Sequence, residues 1–356
     1  MKKILLKHVG NMGDLVFFAL PVIETLKRTY PESHMTFVTA WGLKQRRRSP
    51  IPPFNKYDFW GNRNFNGYCI SLLAANPRID KLVHWHDTAL SLEGTICQEE
   101  GKSYSTWSKA YYEKQKGSGA YDIVAELDIG VSHTENPLGR MYQQVGLPKE
   151  TYSNYHIDLT PHDLAVAQEV TKAWPKPCVL LIEGLAGTTT RGWDGGKVAA
   201  LEKSIQKKYA SKPIWFGSKH IPMYQGRSLT LRENIATLTY ADAGIGVLSG
   251  PLHFAAAVGL PTITLYADQP LHRAAPAYFL NQYIANNKKK HRTLIGPSPN
   301  STQFLKHDQP SQNLTPQEAS AQHHQSWLNP GNQPTKTPLA AITVDEVLLV
   351  LADILG

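Results

Sequence analysis

The chain opens on a short, unbroken apolar run, KKILLKHV, at residues 2–9. A run of that length predicts a strand buried on both faces. The loop GNMGD (10–14) follows, and then LVFFALPVIETLKRTY (15–30), whose apolar positions recur at helical spacing until Pro31 stops them. SHMTFVTA (33–40) reads as a second strand. Strand, loop, helix and strand in that order make a right-handed βαβ unit in a parallel sheet.

The pattern weakens over 42–120, where loops and one helix near 103–115 are expected. LVHWHD (82–87) and YDIVAELDI (121–129) read as further strands, and ENPLGRMYQQVGL (135–147) as a helix ending at Gly146. Thr160 caps a helix that begins at Pro161 and closes at Pro175. The alternation then restarts: PCVLLIEG (177–184) is a strand, GTTTRGW (187–193) a loop and DGGKVAALEKSIQKKY (194–209) a helix. PIWFGS (213–218) is a strand, ENIATLTYADA (233–243) a helix and GIGVLS (244–249) a strand. GPLHFAAAVGL (250–260) is a helix and PTITLYA (261–267) a strand. HRTLIG (291–296) adds a short strand, while the Gln-, Asn- and Pro-rich remainder of 293–340 predicts a long surface excursion. ITVDEVLLVLADIL (342–355) is an amphipathic helix opened by a Thr343–Glu346 capping box.

The expected fold class is therefore α/β, with two Rossmann-like doubly wound domains facing a cleft and a C-terminal helix closing the chain. The boundary falls near 170–177, giving domains over 1–172 and 173–340 and the terminal helix over 341–356. In each sheet a ligand should lie at the carboxyl ends of the strands.

Composition narrows the function classes. The 356 residues are 42% hydrophobic and 19% charged, enough for two cores, and no run of about 18 apolar residues predicts a membrane span. MKKILL begins like a signal peptide, but no small-residue cleavage site follows and Lys7, His8 and Asp14 interrupt it, so a cytoplasmic protein is expected. Cys69, Cys97 and Cys178 are odd in number and widely spaced, which argues against a disulfide framework and a structural zinc site. Cys178 lies in an apolar run and reads as core. The net charge of +8 is concentrated in KQRRR (44–48) and KKKHR (288–292), runs that suit a phosphorylated glycan, an anionic membrane surface or a nucleic acid.

Three stretches can carry chemistry. Gly10 and Gly13 allow close approach to the backbone of the first loop, and Asp14 stands where a helix begins. A carboxylate there caps the helix, and the helix dipole also keeps it ionised, as a general base requires. In GTTTRGW the hydroxyls of Thr188, Thr189 and Thr190 and the Arg191 guanidinium converge before a helix, an arrangement suited to a diphosphate. In SGPLHFAAAVGL, Gly250 and Pro251 fix a turn after a strand, and His253 falls in the first helical turn. HWHD (84–87) has metal-ligand residue types at a spacing that also suits a plain surface strand.

Together these stretches resemble the heptosyltransferases of glycosyltransferase family 9, which have the two-domain GT-B fold. The resemblance covers most of the chain and is best at 1–40, 178–200 and 230–266. It implies an inverting sugar transfer from a nucleotide-sugar, most often ADP-heptose, to a glycan hydroxyl, as in lipopolysaccharide biosynthesis. Asp14 would be the catalytic base. Thr188, Thr189, Thr190, Arg191, Ser249, Gly250 and His253 would face the donor diphosphate. Gly10, Asn11, Gly13, Arg46, Arg47 and Arg48 would hold an anionic acceptor, at the inner membrane surface if the acceptor is lipid-linked. The nucleotide-sugar is a substrate, and neither a cofactor nor a metal is expected. The chain departs from the family at Leu248, where an aspartate is usual, at His8, where a basic residue is usual, and in SKHIPM (218–223), which lacks the acid that often contacts the donor ribose. Three rivals remain: transfer to a nucleic acid, a sugar-nucleotide epimerase, and an inactive nucleotide-sugar-binding relative.

Overall fold

Four strands, β1 (Lys3–His8), β2 (His34–Thr39), β3 (Lys81–His84) and β4 (Ile123–Glu126), form a parallel sheet in the order β3-β2-β1-β4. The structure is a computed structural model that describes residues 1–8, 15–39, 72–73, 75–84, 111–127, 137–148, 156–186, 192–217, 220–266, 291–295 and 338–356. Between β1 and β2 the chain makes a π-helical turn, Leu15–Ala19, that runs into helix α1 (Leu20–Thr29). One regular helix was expected across both. Pro21 cannot donate a backbone hydrogen bond, and it is tolerated because it falls in the first turn of α1.

Strand alternation sorts the side chains of this sheet. Ile4, Leu6, Met35 and Phe37 point to one face, beneath α1 and helix α2 (Pro137–Gln144). Leu5, Val38 and Val83 point to the other, against Tyr111 and Tyr112 of a helical segment over 111–116. That segment is the described part of the helix expected near 103–115.

After helix α3 (Pro161–Thr171) a second parallel sheet begins. Its strands are β5 (Val179–Ile182), β6 (Ile214–Phe216), β9 (Ala243–Val247), β10 (Thr262–Tyr266) and β11 (His291–Ile295), in the order β11-β10-β9-β5-β6. Helix α4 (Gly195–Tyr209) and the terminal helix α7 (Val344–Leu355) cover one face, over Val179, Leu181, Ile245, Ile263 and Trp193. Helices α5 (Leu231–Thr237) and α6 (Gly250–Ala257) cover the other. Gly246 is needed where β9 runs under α6, because a Cβ there would meet Ile182 Cβ at 3.0 Å and Leu252 Cδ1 at 3.3 Å.

The capping boxes at Thr160–Asp163, Thr230–Glu233 and Thr343–Glu346 are all formed. α5 starts two residues before the expected 233 because Thr230 caps it. It ends at Thr237, a 3-10 turn covers Leu238–Tyr240, and Ala243 already belongs to β9. A small hairpin, β7 (Met223–Tyr224) and β8 (Arg227–Ser228), was not anticipated.

α3 packs against α5, so the helix that precedes residue 172 leans on the second sheet. The segment leading into it is tied to the first unit by Arg78, which reaches Glu24 and both Asp158 carboxylate oxygens, the latter at 3.0 Å each. A single buried apolar cluster runs from Ile4 and Phe17 through to Ile182 and Leu252, joining the two units. Each such aliphatic or aromatic side chain contributes about 1.5–3 kcal/mol on full burial.

Candidate active site

Each sheet reverses its winding at one point, and in open α/β sheets that is where ligands bind, outside the strand ends. In the first sheet the reversal lies between β1 and β4, at the carboxyl end of β1, which closes on His8. In the second it lies between β5 and β9, which brings together the loops after Ile182 and after Val247. These are the three stretches that the sequence singled out.

At the first reversal, His8 is fully buried on the α1 side of the sheet. Its Nδ1 lies 2.8 Å from the Leu127 carbonyl oxygen. A carbonyl only accepts, so Nδ1 carries the proton of that bond. Lys7, on the opposite face, pairs with Glu126, and its Nζ sits 5.3 Å from the centre of the Tyr112 ring. Gly10, Asn11, Gly13 and Asp14 lie outside the described residues, as do Arg46, Arg47 and Arg48. The chain is described again from Leu15, and all five residues of the Leu15–Ala19 turn are buried.

At the second reversal, residues 185–186 and 193 form a closed stem. Trp193 N–H donates to Leu185 O at 2.7 Å, and Ala186 bridges Trp193. The fully buried Trp193 indole donates to Ile342 O at 3.2 Å, which anchors the stem to the segment before α7. Asp194 caps α4 through Lys197 N–H at 3.0 Å. Thr188, Thr189, Thr190 and Arg191 themselves lie outside the described residues.

Across the reversal, Ser249 is the N-cap of α6, but its hydroxyl makes no capping bond. Ser249 Oγ is buried and has no hydrogen-bond partner among the described residues. Gly250 opens α6; Pro251 has no amide hydrogen and the His253 amide donates to Ser249 O at 3.2 Å, which leaves the Gly250 and Leu252 amides without a partner within the helix. His253 is buried one turn in, and burial pushes its pKa down to about 3. The imidazole is therefore neutral near pH 7 and lends α6 no positive charge. Its ring lies 4.6 Å from that of Phe17, tilted by 30°. Phe17 belongs to the Leu15–Ala19 turn, so that turn and the start of α6 meet through this ring pair. Nothing in the sequence pointed to Phe17 or to the Trp193 anchor, because their partners lie far along the chain.

Other chemistry-bearing types read differently. Cys178 is fully buried, and burial pushes its thiol up to about 12, the state of an inert core residue. His84 ends β3, and the rest of HWHD (85–87) lies outside the described residues. Among the described residues no cluster of three or more His, Cys, Asp or Glu could hold a metal ion, and no helix is long and apolar enough to cross a membrane.

Comparison with known proteins agrees with the fold. Residues 227–299, which span β8 to β11, match the model of Glycosyltransferase family 9 (heptosyltransferase). The glycosyl transferase family 9 structure from Veillonella parvula DSM 2008 is similar with a TM-score of 0.59 at 15% identity, over 99% of this chain and 97% of that one. The E. coli ADP-heptose LPS heptosyltransferase II is similar with a TM-score of 0.50 at 13% identity, over 100% of this chain and 98% of that one. No curated protein sequence matches. Residues 227–299 are thus similar to the heptosyltransferases of that family, and the chain has the GT-B arrangement of two α/β units in succession. The family match supports sugar transfer in general.

Proposed function

We propose that the protein is an inverting glycosyltransferase that moves a sugar from a nucleotide-sugar to a hydroxyl of an anionic glycan. The reading rests above all on the contact of Phe17 with His253, because it supports a shared site between the loop of the first reversal and the helix start of the second. The donor nucleotide lies against the second sheet. Its diphosphate is held by Arg191, the hydroxyls of Thr188, Thr189 and Thr190, and the open amides of α6 behind Ser249. His253 acts as a neutral prop that fixes the start of α6 against Phe17.

The acceptor binds over the first sheet, with Gly10, Asn11 and Gly13 at its hydroxyl and Arg46, Arg47 and Arg48 at its anionic groups. The hydroxyl oxygen attacks the anomeric carbon from the face opposite the diphosphate. Its O–H bond breaks and the proton passes to the Asp14 carboxylate. The bond from the anomeric carbon to the diphosphate oxygen breaks with its electron pair. Arg191 and the α6 amides stabilise the charge that collects on the leaving group. Every step is assigned to protein groups, so turnover should survive a chelator.

The test is a melting-temperature screen with ADP-, UDP- and GDP-linked sugars, since a ligand that binds only the native state raises the midpoint. One class should raise it, and that donor should release free nucleoside diphosphate only when an acceptor glycan is added. Conversion of donor without acceptor would make the protein an epimerase. Binding without release would make it an inactive relative. Turnover on nucleic acid that falls steeply with salt would replace the glycan acceptor.

A further inference from the structure

Pro21 dictates the shape of the chain just before it. In one continuous α-helix over 15–29 its ring would meet the carbonyl of Phe17, four residues back. The chain instead makes the π-helical turn Leu15–Ala19 and starts α1 at Leu20. Such turns are rare and occur frequently at functional sites. On its far side the turn is tied to α2, because the Tyr142 hydroxyl donates to Pro21 O at 3.0 Å. The buried Phe17 ring lies between two others. Phe18 makes an edge-to-face pair with it, centres 4.5 Å apart and planes at 72°, and His253 lies 4.6 Å away, tilted by 30°. Around this ring pair the turn and α6 pack against each other.

His253 is a sensitive point on α6. Its amide closes the first turn by donating to Ser249 O at 3.2 Å. The residue before it, Leu252, and Gly250 carry the amides that have no partner within the helix. An anion that fills those amides orders the first turn of α6, and His253 with it. On the other side of the pair, Phe17 stands in a turn whose first residue, Leu15, directly follows Asp14 in the sequence. Close-packed interiors transmit such ordering. When one ring of the pair is held, the other has less freedom left to lose, which couples two places without a change of shape.

We infer that Phe17 is a positioning residue: through its ring pair with His253, a nucleotide bound at α6 orders the Leu15–Ala19 turn into which Asp14 leads. The inference rests on the proposal that the donor diphosphate binds at the start of α6. It adds how a filled donor site prepares the first unit for transfer. Phe17 is buried and acts through His253, not on a substrate.

The experiment needs no acceptor. ADP, UDP and GDP are titrated into the full-length protein by calorimetry. Hydrogen–deuterium exchange is then followed by mass spectrometry with and without the nucleotide that binds. In the wild type, saturating nucleotide should slow exchange in peptides of α6 and also in those covering 15–19, the latter by about fivefold or more, as for typical coupling between sites. Phe17→Leu and Phe17→Met keep an apolar side chain and remove the ring. Both should bind nucleotide with a Kd changed by no more than about fivefold, the coupling factor itself, and protect α6 but no longer 15–19. Phe17→Tyr keeps the ring and should keep that protection. A role in packing alone would speed exchange of the turn in the ringless variants and leave the effect of nucleotide intact, which would overturn the inference. So would a wild type in which nucleotide protects α6 but not 15–19, a result that stands by itself if a variant does not fold. Either outcome leaves the donor site standing. Failure of all three nucleotides to bind would overturn the donor site and the coupling together.

Discussion

Replacing Glu233 with glutamine should cost stability at neutral pH, and the cost should vanish in acid. Glu233 is nearly buried, with its side chain 3% exposed. Burial alone would raise its pKa. The Arg227 fork at 2.7 and 2.6 Å and the Thr230 amide at 2.7 Å more than offset this, and hold the carboxyl at about 2 against an ordinary 4.5. That gap corresponds to roughly 2–3 kcal/mol of native-state stability once solvent screening at the half-exposed Arg227 is allowed for. The native value is the lower one, so the contribution is complete above the unfolded value of 4.5 and is lost as pH falls from there towards 2. Glutamine can still close the capping box at Thr230 but offers Arg227 no charge. Urea unfolding of both proteins should show the variant roughly 2–3 kcal/mol less stable near pH 7, with the gap narrowing steadily as pH approaches 3. A gap that stays constant with pH, or none near pH 7, would refute the reasoning.

Trp193→Phe removes the indole donor to Ile342 O, although Lys197 Nζ, 2.8 Å away, still donates to that carbonyl. The loss should be about 1 kcal/mol, seen as a fall of about 2–4 °C in Tm, with a weaker donor Kd because the loop stem loosens. Gly246→Ala places a methyl 3.0 Å from Ile182 Cβ and should cost about 1–3 kcal/mol in urea unfolding. Cys178 should resist iodoacetamide in the native protein and react once it unfolds, as read on its tryptic peptide by mass spectrometry, because its thiol stays protonated up to about 12.

The alternation of strands and helices was legible because strands buried on both faces are continuous apolar runs. ILL, VLLI and ITLY need no partner to be recognised. The helix starts at Thr160 and Thr343 were legible because capping boxes are local. The hairpin at 223–228 was hidden. Its strands are two residues each, and its turn puts Gln225 at φ +49° beside Gly226 at +78°, where Asn-Gly would have been the signal. The π-helical turn was also hidden, since its five apolar residues fit a helical stripe equally well. Of the candidate site, the strands that lead into the three stretches were legible as apolar runs. The closeness of Glu183 to Gly217 was not, because only the register of β5 on β6 brings them together. The Phe17–His253 pair likewise joins residues from different sheets.

The most direct measurement is the turnover of Asp14→Asn with the donor and acceptor that the wild type uses, alongside its melting-temperature shift with donor alone. Asparagine caps a helix as well as aspartate does but cannot take a proton. A general base is worth about 100- to 10,000-fold in rate, so the variant should bind donor normally and turn over at least about a hundredfold more slowly. Turnover close to the wild-type rate would mean that Asp14 only caps, and the proposed mechanism would be wrong.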